Sequence, residues 1–203
     1  MIKNVVFDVG QVLVTFDPPK YLKGLGYDET VREVLMQAMF DDPLWGELDR
    51  SIYTKEELEE KFVANAPNYE KEIREVFREI EGIIDSQPYV VEWMEDLKTR
   101  GYHLYVVSNY ADFMYEATKH KMLFLPYMDG VVFSYMCKAI KPEKEIYETL
   151  LNRYELKAEE CVFIDDRAEN IEAAVNLGFK GIQFHNYEQA KEALNQYLAP
   201  TSK

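Results

Sequence analysis

Near its amino terminus the chain reads Val5-Val6-Phe7-Asp8-Val9-Gly10-Gln11-Val12-Leu13, an apolar run that contains one acid and, two residues later, a glycine. An apolar run of this kind is typical of a strand that is covered on both faces of a parallel sheet. Asp8 follows the most apolar part of the run, at the point where a strand would end. It is therefore a candidate nucleophile, with no second acid beside it in this stretch.

Four more apolar runs are similar to the first. The five predicted strands cover residues 4 to 9, 103 to 108, 130 to 134, 161 to 165 and 180 to 184. Helical segments accompany the later strands, near residues 88 to 99, 111 to 120, 143 to 153, 168 to 177 and 187 to 198. Because strands alternate with helices, the sequence predicts an α/β fold built on a doubly wound parallel sheet.

One region breaks this alternation. Residues 17 to about 86 contain no convincing strand, but they contain amphipathic helical segments at 29 to 40, 55 to 65 and 69 to 80. We therefore predict a helical cap over residues 17–86, inserted into an α/β core of residues 1–16 and 87–203. Pro18-Pro19 and Ser86-Gln87-Pro88 are candidate hinges at the two ends of the cap. The segment from Pro200 to Lys203 is the one candidate for a disordered tail.

Length and composition indicate an ordinary globular protein. The chain has 203 residues, of which 47% are hydrophobic and 30% charged, and no apolar run approaches the ~20 residues that span a bilayer. We expect a soluble protein with no membrane partner. The amino terminus enters a strand at once and lacks the features of a signal peptide, so we expect a cytoplasmic location.

Charge and cysteine content exclude further classes. The net charge of -14 argues against nucleic acid as a partner, because such binding depends on neutralising phosphates. A phosphorylated substrate would need a local positive charge from a metal or a lysine. Cys137 and Cys161 are far apart and belong to no cluster, which predicts neither a disulfide nor a zinc site. The oligomeric state stays open between monomer and homodimer.

Polar residues stand at the ends of four predicted strands, where ligands bind in open α/β sheets. These residues are Asp8, Ser108-Asn109, Lys141 and Asp165-Asp166. Carboxylates are the ligands that Mg²⁺ prefers, and a carboxylate can also attack phosphorus. Serine and lysine can hold and neutralise phosphate oxygens. Each residue alone is as well explained as a cap or a solvated side chain, whereas the set predicts phosphoryl transfer.

The motifs around these residues resemble those of the haloacid dehalogenase superfamily of hydrolases. The resemblance is carried by Phe7-Asp8-Val9-Gly10-Gln11-Val12-Leu13, Val107-Ser108-Asn109, Lys141-Pro142-Glu143 and Phe163-Ile164-Asp165-Asp166-Arg167-Ala168-Glu169-Asn170. It covers nearly the whole chain and points to small phosphatases with a helical cap after the first strand. A subset with an Asp-x-Gly first motif resembles sugar-1-phosphate phosphatases.

The resemblance implies a role for each residue. Asp8 would be the nucleophile and a Mg²⁺ ligand, and Ser108, Asn109 and Lys141 would bind the phosphoryl group. Asp166 would be the second direct metal ligand, with Asp165 in support and the backbone carbonyl of Gly10 as a further ligand. Many members carry another acid at the position of Asn170, so its part in the metal site is open.

Gly10 departs from the pattern of the resembling phosphatases, which usually carry a second aspartate there. That aspartate protonates the leaving group and then activates water, and general acid–base catalysis contributes about 10² to 10⁴ in rate. Either the enzyme is restricted to leaving groups that depart easily, or another residue supplies the proton. Asp17, Glu47 and Asp49 are candidates for the second case. Trp45, with Glu47 and Asp49, is a candidate for contacts with sugar hydroxyls, although an exposed acidic loop is the simpler explanation of the two acids.

Three functions follow from these motifs. The first is a Mg²⁺-dependent hydrolase of a small phosphorylated metabolite, with a sugar phosphate as the expected class. The second is a binding or regulatory protein that has kept the fold after losing the acid. The third is a metal-free 2-haloacid dehalogenase, which would have no use for Asp165-Asp166 beside a nucleophile.

Overall fold

A computed structural model describes residues 1–198 of the chain, which form five strands and ten α-helices. The predicted tail from Pro200 to Lys203 lies outside the described residues. No helix among residues 1–198 has both the length and the apolar character that crossing a membrane requires.

The five strands form one parallel sheet with the order β3-β2-β1-β4-β5. The strands are β1 (Asn4–Phe7), β2 (His103–Ser108), β3 (Gly130–Phe133), β4 (Cys161–Asp165) and β5 (Lys180–Gln183). The first strand is central, and Asn4 pairs with His103 on one side and with Cys161 on the other. The predicted α/β fold with a parallel sheet is confirmed.

The strand β1 ends at Phe7, two residues before the predicted end. Beyond it the chain turns back on itself, because the amides of Leu13 and Val14 both bond the carbonyl of Val9. Gln11 lies inside this turn and takes a positive φ of 60°. Val9 is buried without belonging to the sheet, so its apolar character reflects a loop packed on the core. Strands β3 and β5 likewise end one residue earlier than predicted.

Helices cover both faces of the sheet. The covering helices are α6 (Val90–Thr99) and α10 (Tyr187–Leu198) on one face, and α8 (Lys144–Arg153) and α9 (Ala168–Asn176) on the other. Side chains of β1 alternate between two buried clusters, with Val5 and Phe7 in one and Val6 in the other. This alternation is the two-residue period of a strand buried on both sides. The predicted helices 88 to 99, 143 to 153, 168 to 177 and 187 to 198 match these four closely.

Six α-helices lie between β1 and β2, and the first five form the helical insertion that the sequence predicts. These five are α1 (Pro18–Gly24), α2 (Glu29–Leu35), α3 (Pro43–Leu48), α4 (Lys55–Asn65) and α5 (Glu70–Arg78). The helix predicted over 29 to 40 is α-helical to Leu35 and continues as a π-helical turn, Met36–Phe40. We use the name cap for the residues of this insertion, 17 to 86.

Two cap helices, α1 and α3, were not predicted from the sequence. Both are short, and each begins with a proline directly after a capping aspartate. Asp17 accepts a hydrogen bond from the amide of Lys20, and Asp42 accepts one from the amide of Leu44. Proline suits the first turn of a helix because the missing N–H would have no partner there. The Asp-Pro pairs therefore mark helix starts, where a turn was the simpler interpretation.

The chain enters and leaves the cap along two adjacent segments. The amide of Thr15 bonds the carbonyl of Asp85 at 2.8 Å, and the amide of Gln87 bonds the carbonyl of Leu13 at 3.0 Å. The cap therefore joins the core through a two-stranded connection at the carboxyl end of β1. The exact division at residues 16 and 87, and the hinge role of the flanking prolines, stay predictions. The helix predicted over 111 to 120 is α7 (Asp112–Thr118), followed by a 3-10 turn.

Candidate active site

The parallel sheet brings three of the predicted site residues to one edge. Asp8 directly follows β1, Ser108 is the last residue of β2, and Asp165 is the last residue of β4. These strands are neighbours, and the amide of Asp8 still bonds the carbonyl of Ile164 at 2.9 Å. The predicted residues therefore lie side by side at the carboxyl end of the sheet.

Lys141 reaches this edge from the loop between β3 and α8. Its amide donates to Oδ1 of Asn109 at 2.7 Å, and Nδ2 of Asn109 donates to its carbonyl at 3.2 Å. Asn109 thus fixes the backbone of Lys141 with both ends of its side-chain amide. Direct phosphate binding by Asn109 stays a prediction, and the contacts that the structure gives its side chain are with the lysine.

The ammonium group of Lys141 lies between two carboxylates. Its Nζ is 2.6 Å from Oδ1 of Asp8 and 2.6 Å from Oδ2 of Asp165. All three side chains are almost completely removed from solvent. Buried charges of this kind are tolerated only when they are closely paired, since each one has lost its hydration. The three groups form a single electrostatic unit, which we call the lysine triad.

Asp165 is held by more partners than any other acid of the site. Nδ2 of Asn170 lies 2.9 and 3.0 Å from its two carboxylate oxygens, and the amide of Arg167 donates to Oδ1 at 2.9 Å. Asn170 is itself buried, and its carbonyl accepts a hydrogen bond from Tyr147. The sequence left the part of Asn170 open. In the structure it fixes the carboxylate of Asp165.

Burial and the neighbouring charges together set the protonation of these groups. Burial raises the pKa of Asp8 to about 6, although the neighbouring Lys141 acts in the opposite direction. Burial lowers the pKa of Lys141, but Asp8 and Asp165 outweigh it, and the pKa stays above the usual value. Burial and then the charge of Asp165 raise the pKa of Asp166. At neutral pH Lys141 is therefore cationic and Asp8 is mainly a carboxylate.

The acids of this edge suit a divalent metal. One carboxylate oxygen from each of Asp8, Asp165 and Asp166 lies within 4.8 Å of the others. Oxygen donors of this type are the ligands of Mg²⁺. Three carboxylates also outnumber the single lysine, and within residues 1–198 no cationic side chain is at ion-pair distance from Asp166. The residues fit the predicted cation, with Asp165 less available to it because its oxygens already have several partners.

A cavity of about 510 Å³ opens onto Asp8. From the core it is lined by Asp8, Gly10, Ser108, Asn109 and Lys141, among others. From the cap it is lined by Phe40, Asp42, Trp45, Gly46 and Asp49. Phosphate-binding candidates and cap side chains therefore face the same space.

Two aromatic side chains form part of the cap side of the cavity. The Trp45 ring packs against Phe40 with centroids 4.4 Å apart and against Phe62 at 6.2 Å. Phe62 contacts Phe77, which in turn contacts Phe113 of the core helix α7. This row of rings connects the cavity wall to the core. Trp45 was predicted to face the substrate, and it does line the cavity with Asp8.

The sequence suggests three acids that could replace the missing acid at position 10. The structure places these acids in different environments. Asp17 caps α1 and lines a second cleft, of about 840 Å³, that does not include Asp8. Glu47 forms an ion pair with Nε of Arg50 at 3.2 Å. Only Asp49, of these three, lines the cavity that contains Asp8.

Asp49 has an unusual electrostatic environment. Burial raises its pKa to about 7, with Asp8 acting in the same direction and Lys141 against it. Its carboxylate forms no hydrogen bond or ion pair with another side chain among residues 1–198. A carboxyl group of this kind exchanges a proton near neutral pH, as general acids and bases do.

Sequence reasoning missed the contacts that hold this part of the cap on the core. Arg50 forms a bidentate ion pair with Glu143, and Nζ of Lys138 donates to the carbonyl of Ser51 at 2.7 Å. Glu143 follows Lys141-Pro142 in the sequence, so an acid directly after the lysine motif was the available signal. No feature of Arg50 itself distinguishes it from the other arginines of the cap.

Comparison with known proteins agrees with this architecture. A model of the haloacid dehalogenase-like hydrolases matches residues 2–178. The chain belongs to this family. It is therefore an enzyme of the hydrolase class, as the motif resemblance implied.

Individual relatives are distant. The sesquiterpene phosphatase astK of Aspergillus oryzae is 24% identical over 184 residues, which cover 89% of this chain and 88% of the relative. The D-ribitol-5-phosphate phosphatase of Bacteroides thetaiotaomicron is 23% identical over 209 residues, covering 98% and 99%. A crystal structure of a haloacid dehalogenase family enzyme from Bacteroides thetaiotaomicron, in complex with magnesium and inorganic phosphate, superposes with a TM-score of 0.70. That match is 22% identical and covers 90% of this chain and 94% of the other.

Proposed function

We propose that this hydrolase is a Mg²⁺-dependent phosphatase of a small phosphorylated metabolite, acting through an aspartyl-phosphate on Asp8. The observation that carries the proposal is the lysine triad beside Asp166, with Asp8 and Lys141 lining a cavity that the cap also borders. A nucleophilic carboxylate, a buried cation and a set of metal-binding acids are the groups that phosphoryl transfer requires. The relatives named as phosphatases support the same reaction class.

Each residue then has a task. Asp8 attacks phosphorus while Lys141 neutralises the oxygens of the transferring group, and Ser108 holds one of those oxygens. Asp165, fixed by Asn170, keeps Lys141 charged and in position. Asp8, Asp166 and the carbonyl of Gly10 would hold Mg²⁺, which supplies positive charge that lets the carboxylate approach a phosphate dianion.

The cap suggests how the rest of the substrate is bound. Trp45 and Phe40 both line the cavity and pack on each other, and a sugar ring or another flat carbon skeleton can pack against aromatic side chains of this kind. We retain a sugar phosphate as the expected class, in agreement with the Asp-x-Gly motif. A cytoplasmic location, and a state of monomer or homodimer, stay predictions from the sequence.

A screen of sugar phosphates, nucleotides and phosphorylated acids, with Mg²⁺ and with EDTA, tests the proposal. We expect Mg²⁺-dependent release of inorganic phosphate from one of these classes, and its loss in Asp8→Asn. Asp28→Asn is the matched control, since Asp28 caps α2 on the surface and asparagine caps a helix equally well.

Two results would favour a different function for this protein. Absence of any metal-dependent phosphatase activity that Asp8→Asn abolishes would favour the binding-protein alternative. Release of halide from a 2-haloacid without metal would favour a dehalogenase, against which the acids Asp165 and Asp166 already argue.

A further inference from the structure

Transfer of a phosphoryl group leaves an oxygen that must be protonated. When the bond between phosphorus and that oxygen breaks, the electron pair stays on the oxygen, and an alkoxide is a poor leaving group without a proton. Gly10 has no side chain to supply one. An added Cβ at Gly10 would meet no heavy atom within 4 Å, so no neighbouring side chain occupies the space beside this residue.

Three carboxylates line the cavity, and two of them are already engaged. Asp8 belongs to the lysine triad. Asp42 accepts from the amide of Leu44 at 2.8 Å and from Nδ2 of Asn65 at 3.1 Å, so it works as a helix cap. Asp49 alone among them has no hydrogen bond or ion pair to its carboxylate from residues 1–198.

The backbone around Asp49 is fixed from the core side. The hydroxyl of Ser134 donates to the carbonyl of Asp49, and Arg50 is paired with Glu143. The next residue, Ser51, exchanges hydrogen bonds with Asp112 at 3.0 Å. Ser134 and Glu143 flank the loop that carries Lys141. The cap segment is therefore held in register with the lysine triad, which is what a proton donor needs.

The charges that face Asp49 act in opposite directions. Asp8 favours its protonated form and Lys141 its carboxylate, while burial favours the protonated form most. Both forms are thus accessible near neutral pH. A group that must give a proton in one step and take one in the next needs this balance.

We propose that Asp49 is the general acid and general base of the reaction, delivered by the cap in place of a core residue at Gly10. The proposal rests on the proposed phosphatase function. In the first step the Asp8 oxygen bonds to phosphorus, the leaving oxygen departs with its electron pair, and the Asp49 carboxyl gives that oxygen its proton. In the second step water attacks the aspartyl-phosphate, Asp49 takes the water proton, and phosphate leaves Asp8.

The arrangement makes proton transfer depend on the contacts that hold the Asp49 segment on the core. The alternative, that the enzyme accepts only activated leaving groups, needs no such residue.

Leaving-group dependence separates the two explanations. Wild type, Asp49→Asn, Asp49→Glu and Asp17→Asn are compared on an alkyl phosphate and on p-nitrophenyl phosphate, with Mg²⁺. For Asp49→Asn we expect kcat/KM on the alkyl phosphate to fall by about 10² to 10⁴-fold, since the acid is lost. On the aryl phosphate kcat/KM should change by less than about tenfold, because that leaving group needs no proton.

Three further variants show whether loss of the carboxyl group itself causes the loss of activity on the alkyl phosphate. Asp17→Asn makes the same chemical change at a helix cap outside the cavity and should leave both substrates unaffected. Asp49→Glu keeps an acid and should restore part of the alkyl activity. Gly10→Asp in the Asp49→Asn background should restore it as well, since the space beside Gly10 is open.

Equal losses on both substrates would show that Asp49 has only a structural role and would overturn the inference. Wild type that hydrolyses the aryl phosphate but no alkyl phosphate would overturn it too, in favour of restriction to activated leaving groups. These outcomes leave the phosphatase function intact. Loss of that function is recognised separately, by wild type that releases no phosphate from any substrate.

Discussion

The core and the cap contribute opposite kinds of surface to one cavity. The core edge contributes buried charge, with Lys141 held between Asp8 and Asp165. The cap contributes aromatic rings and the carboxylate of Asp49, which has no partner within residues 1–198. The difference separates two parts of the chemistry. By our proposals, the core binds and transfers the phosphoryl group, and the cap binds the leaving group and supplies its proton.

The largest expected effect tests the core half of this comparison. Lys141→Met leaves two buried carboxylates facing each other, so we expect the free energy of unfolding to fall by about 3–5 kcal/mol without metal. Activity should fall by about 10² to 10³-fold, because charge on the transferring group is no longer neutralised. Urea denaturation and steady-state kinetics measure the two effects.

Lys144→Met is the matched control for that variant. Lys144 lies three residues away, and within residues 1–198 its one ion pair is with Glu148 on the surface, so its loss should change stability by less than ~0.5 kcal/mol. Similar results for the two lysine variants would mean that the core edge is not an electrostatic unit.

Smaller effects on stability and activity are expected from loss of the Arg50–Glu143 ion pair, which joins the cap to the core. Arg50→Gln and Glu143→Gln each break a half-exposed pair, so stability should change by less than about 1 kcal/mol. If the pair positions Asp49, kcat on an alkyl phosphate should fall by roughly 10 to 10²-fold, with little change in KM. The double variant should be no worse than either single one, because both remove the same interaction.

Arg74→Gln provides the comparison within the cap. Arg74 pairs with Glu59, Glu60 and Glu70, which all belong to the cap, so its loss should leave kcat unchanged. An unchanged kcat in Arg50→Gln would show that the ion pair between Arg50 and Glu143 has no part in positioning Asp49.

The smallest expected effect is on the free energy of unfolding, which is lowered when Asp49 is held as a carboxylate in the cavity. Its pKa is raised from 3.8 to about 7 in the folded protein, so the folded state binds the proton more tightly than the unfolded chain does. Stability therefore falls as the pH rises through this range, and the cost is complete above about pH 7. At about pH 8, with EDTA, Asp49→Asn should be more stable than wild type by on the order of 1 kcal/mol.

The difference should vanish below about pH 3, where the carboxyl is protonated in both states. Denaturation at both pH values, with Asp17→Asn as the matched variant, measures it. A stability difference that is the same at both pH values would contradict the raised pKa of Asp49.

The sequence was most informative about the core. Asp8, Ser108 and Asp165 follow short apolar runs, and parallel strands have to place their ends at one edge. Their proximity could therefore be predicted from order along the chain alone. The early end of β1 could not, because Val9 is as apolar as a strand residue and is buried in a turn instead.

The cap was predictable only in outline. Three helical segments show the period of an amphipathic helix, but α3 is six residues long and contains Gly46, so no period can be seen. Asp49 follows that helix and differs in sequence from Glu47 in no informative way. Its importance arises from contacts made by Arg50 and Ser134 across a distance of many residues, which local patterns do not report.

If both proposals are correct, Asp8 of the core forms a covalent bond to phosphorus and Asp49 of the cap promotes hydrolysis of that bond. Rapid quenching of Asp49→Asn after mixing with p-nitrophenyl phosphate and Mg²⁺, followed by intact-protein mass measurement and peptide mapping, tests both halves. We predict that one phosphoryl group accumulates on Asp8, more than in wild type, and only with Mg²⁺. Nitrophenol release without any phosphoryl group on Asp8, or with the group on another residue, would contradict the account.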